Sequence, residues 1–291
     1  MKVKYMILAL GMLPFAFLLT LISYFAAFAI TVMTGGVNVL ETDTAMVNQG
    51  VFNLIRFTMI LVICGWMYYR SFIKSYYSSF DVKNKDDFKT HTVRIIKHFI
   101  KPLNLLSIII IGLSLQLLTD AVLFILSSSF PAYFESYNAM IQEYTGSNSI
   151  LFIATTILLG PPAEELIFRG LILGYARKAL ENSKNIKRAQ MIAIIIQAVL
   201  FSIYHLNLIQ MCYALICGII FGIIAVKFES LIPTILIHMT VNGTLYLIPN
   251  KLFSEIPSSV GIALASLIFL GGSLVLLLIE HVDKSEATDE K

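Results

Sequence analysis

The stretch SILFIATTILLGPPAEELIFRGLILGY, residues 149–175, decides how this chain must be read. It is longer than the ~20 residues a helix needs to cross a bilayer, yet Glu164, Glu165 and Arg169 lie in its middle. Each charge at the centre of a bilayer costs at least about 2.5 to 3.5 kcal/mol on insertion scales, so three so close together need partners or a function. The rest of the chain agrees with a membrane reading. Of its 291 residues 57% are hydrophobic and 13% charged, with a mean hydropathy of +0.81, where a soluble domain runs about 45 to 50% apolar and about 25% charged. A cytosolic enzyme, a secreted disulfide scaffold and a disordered protein are excluded. The formal charge of +3 and the lack of a basic patch interleaved with aromatics exclude a nucleic-acid partner.

Apolar windows near residues 5–33, 51–69, 103–130, 149–175, 189–206, 208–226, 231–248 and 260–279 predict an all-α polytopic bundle of about eight transmembrane helices. Alternation of apolar and polar residues is absent, so a membrane β-barrel is excluded. The first window is about twice the length of a signal-peptide core and reads as an uncleaved span. Arg70, Lys74, Lys83, Lys85, Lys89, Arg94, Lys97 and Lys101 fall between the second and third windows, while loops 34–50 and 131–148 hold no Lys or Arg. The cation-rich side is predicted cytoplasmic. Arg177, Lys178, Lys184, Lys187, Arg188 and Lys227 join it, and an even span count puts both termini there too, in a multi-pass protein of the plasma membrane. Trp66, Tyr68, Tyr69, Tyr76 and Tyr77 read as an aromatic belt at that interface. Residues 81–89 read as a charged, solvated connector and 281–291 as a disordered tail. The organisation expected is N-terminal helices and a cytoplasmic loop at 1–148, a core at 149–250 that carries the charged stretch, and a last span with its tail at 251–291, all one membrane domain. Cys64, Cys212 and Cys217 lie in apolar runs without CxxC spacing and read as small buried hydrophobes.

Within the decisive stretch, Gly160-Pro161-Pro162 predicts a break with a new helix starting near Pro162, because Pro suits a first helical position. Both glutamates then occupy a first turn, where the helix dipole favours negative charge. Successive helical residues point about 100° apart, so the two glutamates divide the labour. Glu165 can pair with Arg169 at i, i+4, whereas Glu164 shares its side of the helix with Phe168 and is left free to act as a general base. Two further groups stand out, Phe201-Ser202-Ile203-Tyr204-His205 and His238-Met239-Thr240-Val241-Asn242. Residues four apart share a helix face, so His238 and Asn242 project together, and one Glu, two His and one Asn are available to converge. The remaining histidines, His91, His98 and His281, fall in or near loops. Arg56 and Asp120 lie in apolar windows and can pair with each other. Gly218 and Gly222 have the spacing of close helix packing. Counting depth along the helices sets His205 near the outer end of its span and His238 nearer the cytoplasmic side, a conflict that a 189–226 hairpin that is tilted or does not fully span, or boundaries shifted by a turn, would remove.

These three groups, Glu164-Glu165-x-x-x-Arg169, Phe201-x-x-x-His205 and His238-x-x-x-Asn242, resemble in order the motifs of the CPBP family of intramembrane proteases, also called the Abi or CAAX-protease-and-bacteriocin-processing group. The family includes the type II CAAX prenyl endopeptidases, and the resemblance covers about residues 151–247. It implies peptide-bond hydrolysis in an intramembrane cavity. Glu164 with His205 would activate water, and His238 with Asn242 would stabilise the oxyanion, a task preorganised donors fill. Glu165 and Arg169, backed by Phe168 and Phe201, would hold the helix that carries Glu164. Family members are often described as metalloproteases, and Glu164, His205 and His238 could supply three zinc ligands. The zinc-protease motif HExxH is absent, and a glutamate-activated water without zinc uses the same residues, so both chemistries stay open. The implied partners are a peptide or membrane-protein substrate and the lipid bilayer; the sequence carries no signal for an oligomeric state. Its Ile, Lys and Asn usage is that of low-GC bacteria, which ranks bacterial peptide processing above cleavage of prenylated CAAX ends. Two rival readings are a catalytically silent bacteriocin-immunity or scaffold protein and an ion-coupled transporter. The lack of an inverted repeat and the single interrupted helix weigh against the transporter.

Overall fold

The computed structural model describes residues 1–34, 49–73, 85–146 and 150–247, with scattered positions between 257 and 272. Among the described residues every regular element is helical. In chain order they are α1 (Val3–Met33), α2 (Gln49–Ile73), α3 (Lys85–Phe99), α4 (Pro102–Ser129), α5 (Pro131–Gly146), α6 (Ile150–Leu180), α7 (Ile186–Tyr204), α8 (Leu208–Phe228) and α9 (Ile232–Leu247). Six of them, α1, α2, α4, α6, α7 and α8, are long and apolar enough to cross a membrane. Helix α9 has 16 residues, about 24 Å at 1.5 Å per residue, somewhat short of the window expected there. The 260–279 window lies mostly outside the described residues. Its described positions 260–262, 264, 267–268 and 271–272 are helical, and a Cβ on Gly272 would lie 3.1 Å from Ile111 of α4.

Two helices are additions to the expected spans. Part of the 81–89 connector belongs to α3, and α5 occupies what reads as an outer loop. Neither has the long apolar run that marks a span. The belt expectation needs correction at Tyr68, which is buried, whereas Trp66 and Tyr69 are exposed; Tyr76 and Tyr77 lie outside the described residues. Cys64 and Cys217 are buried as expected but Cys212 is only half-buried, and all three are free thiols.

The expected break at Gly160-Pro161-Pro162 does not occur. Helix α6 runs through it, with wide π turns at Thr155–Leu159 and Leu166–Ile172 flanking an α-helical Gly160–Glu165. A proline has no N–H to bond the carbonyl four residues back, and its ring clashes with that carbonyl. A wide turn precedes the prolines, in which the Gly160 N–H bonds the Thr155 carbonyl, five residues back, and the Thr156 carbonyl accepts from the Asn242 side chain. Glu164 and Glu165 therefore lie inside a continuous helix, and the first-turn dipole argument does not apply to them.

Between helices in lipid, close packing replaces the hydrophobic drive, and small residues permit it. Gly218 and Gly222 of α8 behave as their spacing predicts. A Cβ on Gly218 would lie 3.0 Å from the Ala198 backbone of α7, and one on Gly222 would lie 2.5 Å from the Gln197 amide. The same Gln197 donates to the Gly218 carbonyl at 2.7 Å, which locks the α7–α8 hairpin. The hairpin's two helices begin on Asn185 and Asn207, whose side chains accept from the Arg188 and Gln210 amides, satisfying donors that a helix start leaves open. On the other side Gly112 lets α4 cross close to Thr240 of α9. One apolar cluster joins Ala9, Phe57, Phe168 and Phe201, and another joins Ile108, Ile111, Phe221 and Ile237. Outward-facing side chains such as Val62 and Trp66 are apolar and more than half exposed, as suits contact with lipid.

Candidate active site

The three polar groups singled out from the sequence come together at one place. Glu164 on α6, His205 at the end of α7, and His238 and Asn242 on α9 all line a single cavity of about 810 Å³. Glu165, one position on, faces away from it and is fully buried. Its Oε1 accepts from Arg169 Nη1 at 2.8 Å, the pair expected at i, i+4. The same oxygen lies 2.9 Å from His238 Nδ1. A carboxylate oxygen that also accepts from a guanidinium can only accept here, so His238 Nδ1–H donates to it and Nε2 is presented to the cavity. There it lies 3.8 Å from Glu164 Oε2.

The Arg169 guanidinium is held between two ring faces, 4.3 Å from the Phe201 centroid and 5.0 Å from that of Phe221. Phe168, expected on the Glu164 side of α6, is fully buried and packs edge-on to Phe201 at 5.0 Å. It supports the wall and does not line the cavity. Sequence reading missed Phe221, because nothing distinguishes one aromatic in the uniformly apolar α8. It also missed Thr156, whose carbonyl accepts from Asn242 Nδ2 at 3.2 Å and so ties α9 to the first π turn of α6.

His205 is the residue at which α7 stops. Its Nδ1 lies 2.8 Å from the Phe201 carbonyl. A carbonyl only accepts, so Nδ1 carries the hydrogen and Nε2 keeps a lone pair. The ring thus folds back along its own helix instead of pointing outward. This resolves the depth conflict: both imidazoles flank one ring, with His205 at 4.8 Å and His238 at 6.1 Å from the Phe201 centroid. The chain leaves His205 through Leu206, whose φ of 56° is left-handed, an uncommon backbone for a branched side chain that often accompanies function.

Arg56 and Asp120 also line the cavity but do not pair, contrary to expectation. The Arg56 guanidinium lies over Phe57 at 4.3 Å and Phe52 at 5.2 Å, and Asp120 accepts from Gln116 at 3.0 Å. Cation–π contact takes the place of the ion pair. His98, expected in or near a loop, is buried in α3.

The fit of a metal can be judged from the donors. His238 Nδ1 held by a carboxylate is the usual outer support of a metal-bound imidazole. Among the described residues, however, no three His, Cys, Asp or Glu side chains come close enough together to hold one ion. Glu164, His205 and His238 share a cavity without forming a closed ligand set.

Against known proteins, residues 146–244 match the family model described as type II CAAX prenyl endopeptidase Rce1-like. The matched region is about a third of the chain and contains every one of Glu164, His205, His238 and Asn242. No curated protein and no solved structure matches the chain.

Proposed function

We propose, taking the Rce1-like endopeptidase domain as the premise, that this multi-pass membrane protein hydrolyses a peptide bond of a membrane-associated peptide inside its polar cavity. The observation that carries this reading is the convergence of Glu164, His205, His238 and Asn242, from three separate helices, on one cavity. In lipid such a set is costly to assemble without a task.

The roles follow from what each group presents. Water held between Glu164 and the lone pair of His205 Nε2 loses a proton to Glu164 as its oxygen attacks the peptide carbonyl. The resulting oxyanion accepts from Asn242 Nδ2, and from His238 Nε2 when that nitrogen is protonated. Glu164 then passes its proton to the departing nitrogen, and the products are a carboxylic acid and an amine. Glu165 and Arg169 are positioning residues that fix the imidazole and the α6 wall. None of these steps uses a metal.

For the substrate, a bacterial membrane-associated peptide ranks ahead of a prenylated CAAX end, on the residue usage of the chain. The site is proposed to lie in the plasma membrane with both termini cytoplasmic, which the distribution of Lys and Arg supports. The test compares peptide termini by mass spectrometry in membranes and medium of cells carrying the native chain or Glu164→Gln at matched abundance. Loss of the general base should lower cleavage by about 10² to 10⁴-fold, so a set of termini disappears in the variant and identifies the substrates. Identical profiles from both cells, with any immunity or transport phenotype intact in both, would overturn catalysis in favour of a scaffold or transporter.

A further inference from the structure

Three membrane helices end together at one face of the bundle. Helix α1 starts at Val3, α2 stops at Ile73 and α6 stops at Leu180. The Lys2 amide donates to the Ala179 carbonyl at 2.7 Å, and Lys178 Nζ donates to the Ser71 carbonyl at 2.8 Å. All three ends belong to helices long and apolar enough to cross a membrane. Between them lies a second concavity of about 490 Å³, which shares no lining residue with the cavity that holds Glu164.

Its wall is strongly cationic. Lys2, Lys4, Arg70 and Lys178 line it against the single carboxylate of Glu181. Lys2 is salt-bridged to Glu181, so the carboxylate offsets one cation and leaves a surplus of positive charge. Lys178 forms a buried floor, with its ammonium 4.5 Å from the Phe72 ring centroid. Beside it Tyr175 and Ser71 share a hydroxyl hydrogen bond of 2.7 Å. Lys4 and Arg70 are exposed at the rim.

The flank is apolar. Leu8 belongs to the same wall, Ile7 beside it is exposed, and Arg70 lies 5.7 Å from the centroid of the exposed Trp66 ring. A free anion has no use for that flank. An amphiphile uses both parts, with its negative head against the cations and its chain along Leu8 towards the bilayer.

We propose that this concavity binds an anionic phospholipid, whose phosphate is held by Lys4, Arg70 and Lys178 where α1, α2 and α6 meet. The bound lipid ties together three helix ends, one of which belongs to the helix that carries Glu164. The site is independent of the proteolytic reading, and its test needs no substrate.

The test uses the purified full-length protein in detergent, titrated with phosphatidylglycerol, phosphatidylcholine or inorganic phosphate and observed by native mass spectrometry. Phosphatidylglycerol should remain bound and raise the thermal midpoint, while phosphatidylcholine should do neither. Lys4→Gln with Arg70→Gln should weaken phosphatidylglycerol retention by about fivefold per cation removed, and Glu181→Gln should strengthen it. Thermal unfolding in phosphatidylcholine checks that the variants fold. Equal retention of the two lipids, unchanged retention in the double variant, or no gain in Glu181→Gln would each overturn the proposal. Displacement of the lipid by millimolar inorganic phosphate would also overturn it, by reducing the site to one for a free anion.

Discussion

Glu165 and Glu164 are neighbours with opposite demands on the fold. Glu165 is sealed in the interior with Arg169 and His238 on one oxygen, so removing a partner strands a buried charge. Arg169→Leu should destabilise the protein by about 3 to 5 kcal/mol, visible as loss of membrane abundance and a lower thermal midpoint. Arg169→Lys should rescue little, because a point charge cannot reproduce a planar group held between Phe201 and Phe221. Glu164→Gln, at the cavity wall, should keep native abundance; if it fell as far as Arg169→Leu, the division between the two glutamates would be wrong. Leu206 gives a prediction of opposite sign. Its left-handed backbone costs a non-glycine residue about 1 to 2 kcal/mol, so Leu206→Gly should raise the thermal midpoint, and an unchanged or lower midpoint would show that the side chain offsets that cost. Much of this site is legible in the amino-acid sequence. The spacing of four places Glu165 on Arg169 and His238 beside Asn242, because helical geometry is local. The Phe221 face and the folding back of His205 are not legible there, since they depend on where a second helix passes.

Long apolar runs betray themselves through composition, and that is why α1, α2, α4, α6, α7 and α8 stand where hydropathy puts them. Helices α3 and α5 are hidden from such a reading because neither presents an apolar run, and their helicity is set by chain neighbours and packing. Helix α6 misleads for a different reason. Gly-Pro-Pro is a strong breaker in an α-helix, but here a π turn precedes it and the helix continues. That turn also sets the direction of the side chains beyond it: a residue is worth about 100° of rotation, so changing a five-residue hydrogen bond to a four-residue one re-aims Glu164 relative to α9. Replacing Pro161 and Pro162 together by Ala permits the tighter turn. Misplacement of a reacting group by about 1 Å can cost 10²-fold, so the double variant should lose cleavage by about that factor while keeping native abundance. Full cleavage would mean that the π turn is held by packing of Gly160 on Phe57 and not by the prolines.

The bundle has two distinguishable ends, and the membrane must lie between them. The start of α1 and the end of α6 are joined by Lys2 with Ala179 and Glu181, and the end of α2 meets them through Ser71. Lys4, Arg70, Arg177, Lys184, Lys187 and Arg188 all belong to segments that reach this end. The α7–α8 turn at residues 205–207, which follows α7 across the bundle, holds no Lys or Arg. On the positive-inside rule this asymmetry is the basis for proposing that the cation-rich end faces the cytoplasm. Lys184 lies in the short link between α6 and α7 and is exposed, so it reports the side without disturbing the core. In a background with Cys64, Cys212 and Cys217 replaced by Ala, Lys184→Cys should react with a membrane-impermeant maleimide only after the cells are opened, whereas Leu206→Cys, exposed at the opposite turn, should react in intact cells. The reverse pattern would invert the molecule, and would put the cationic concavity between α1, α2 and α6 against the outer leaflet instead of the inner one.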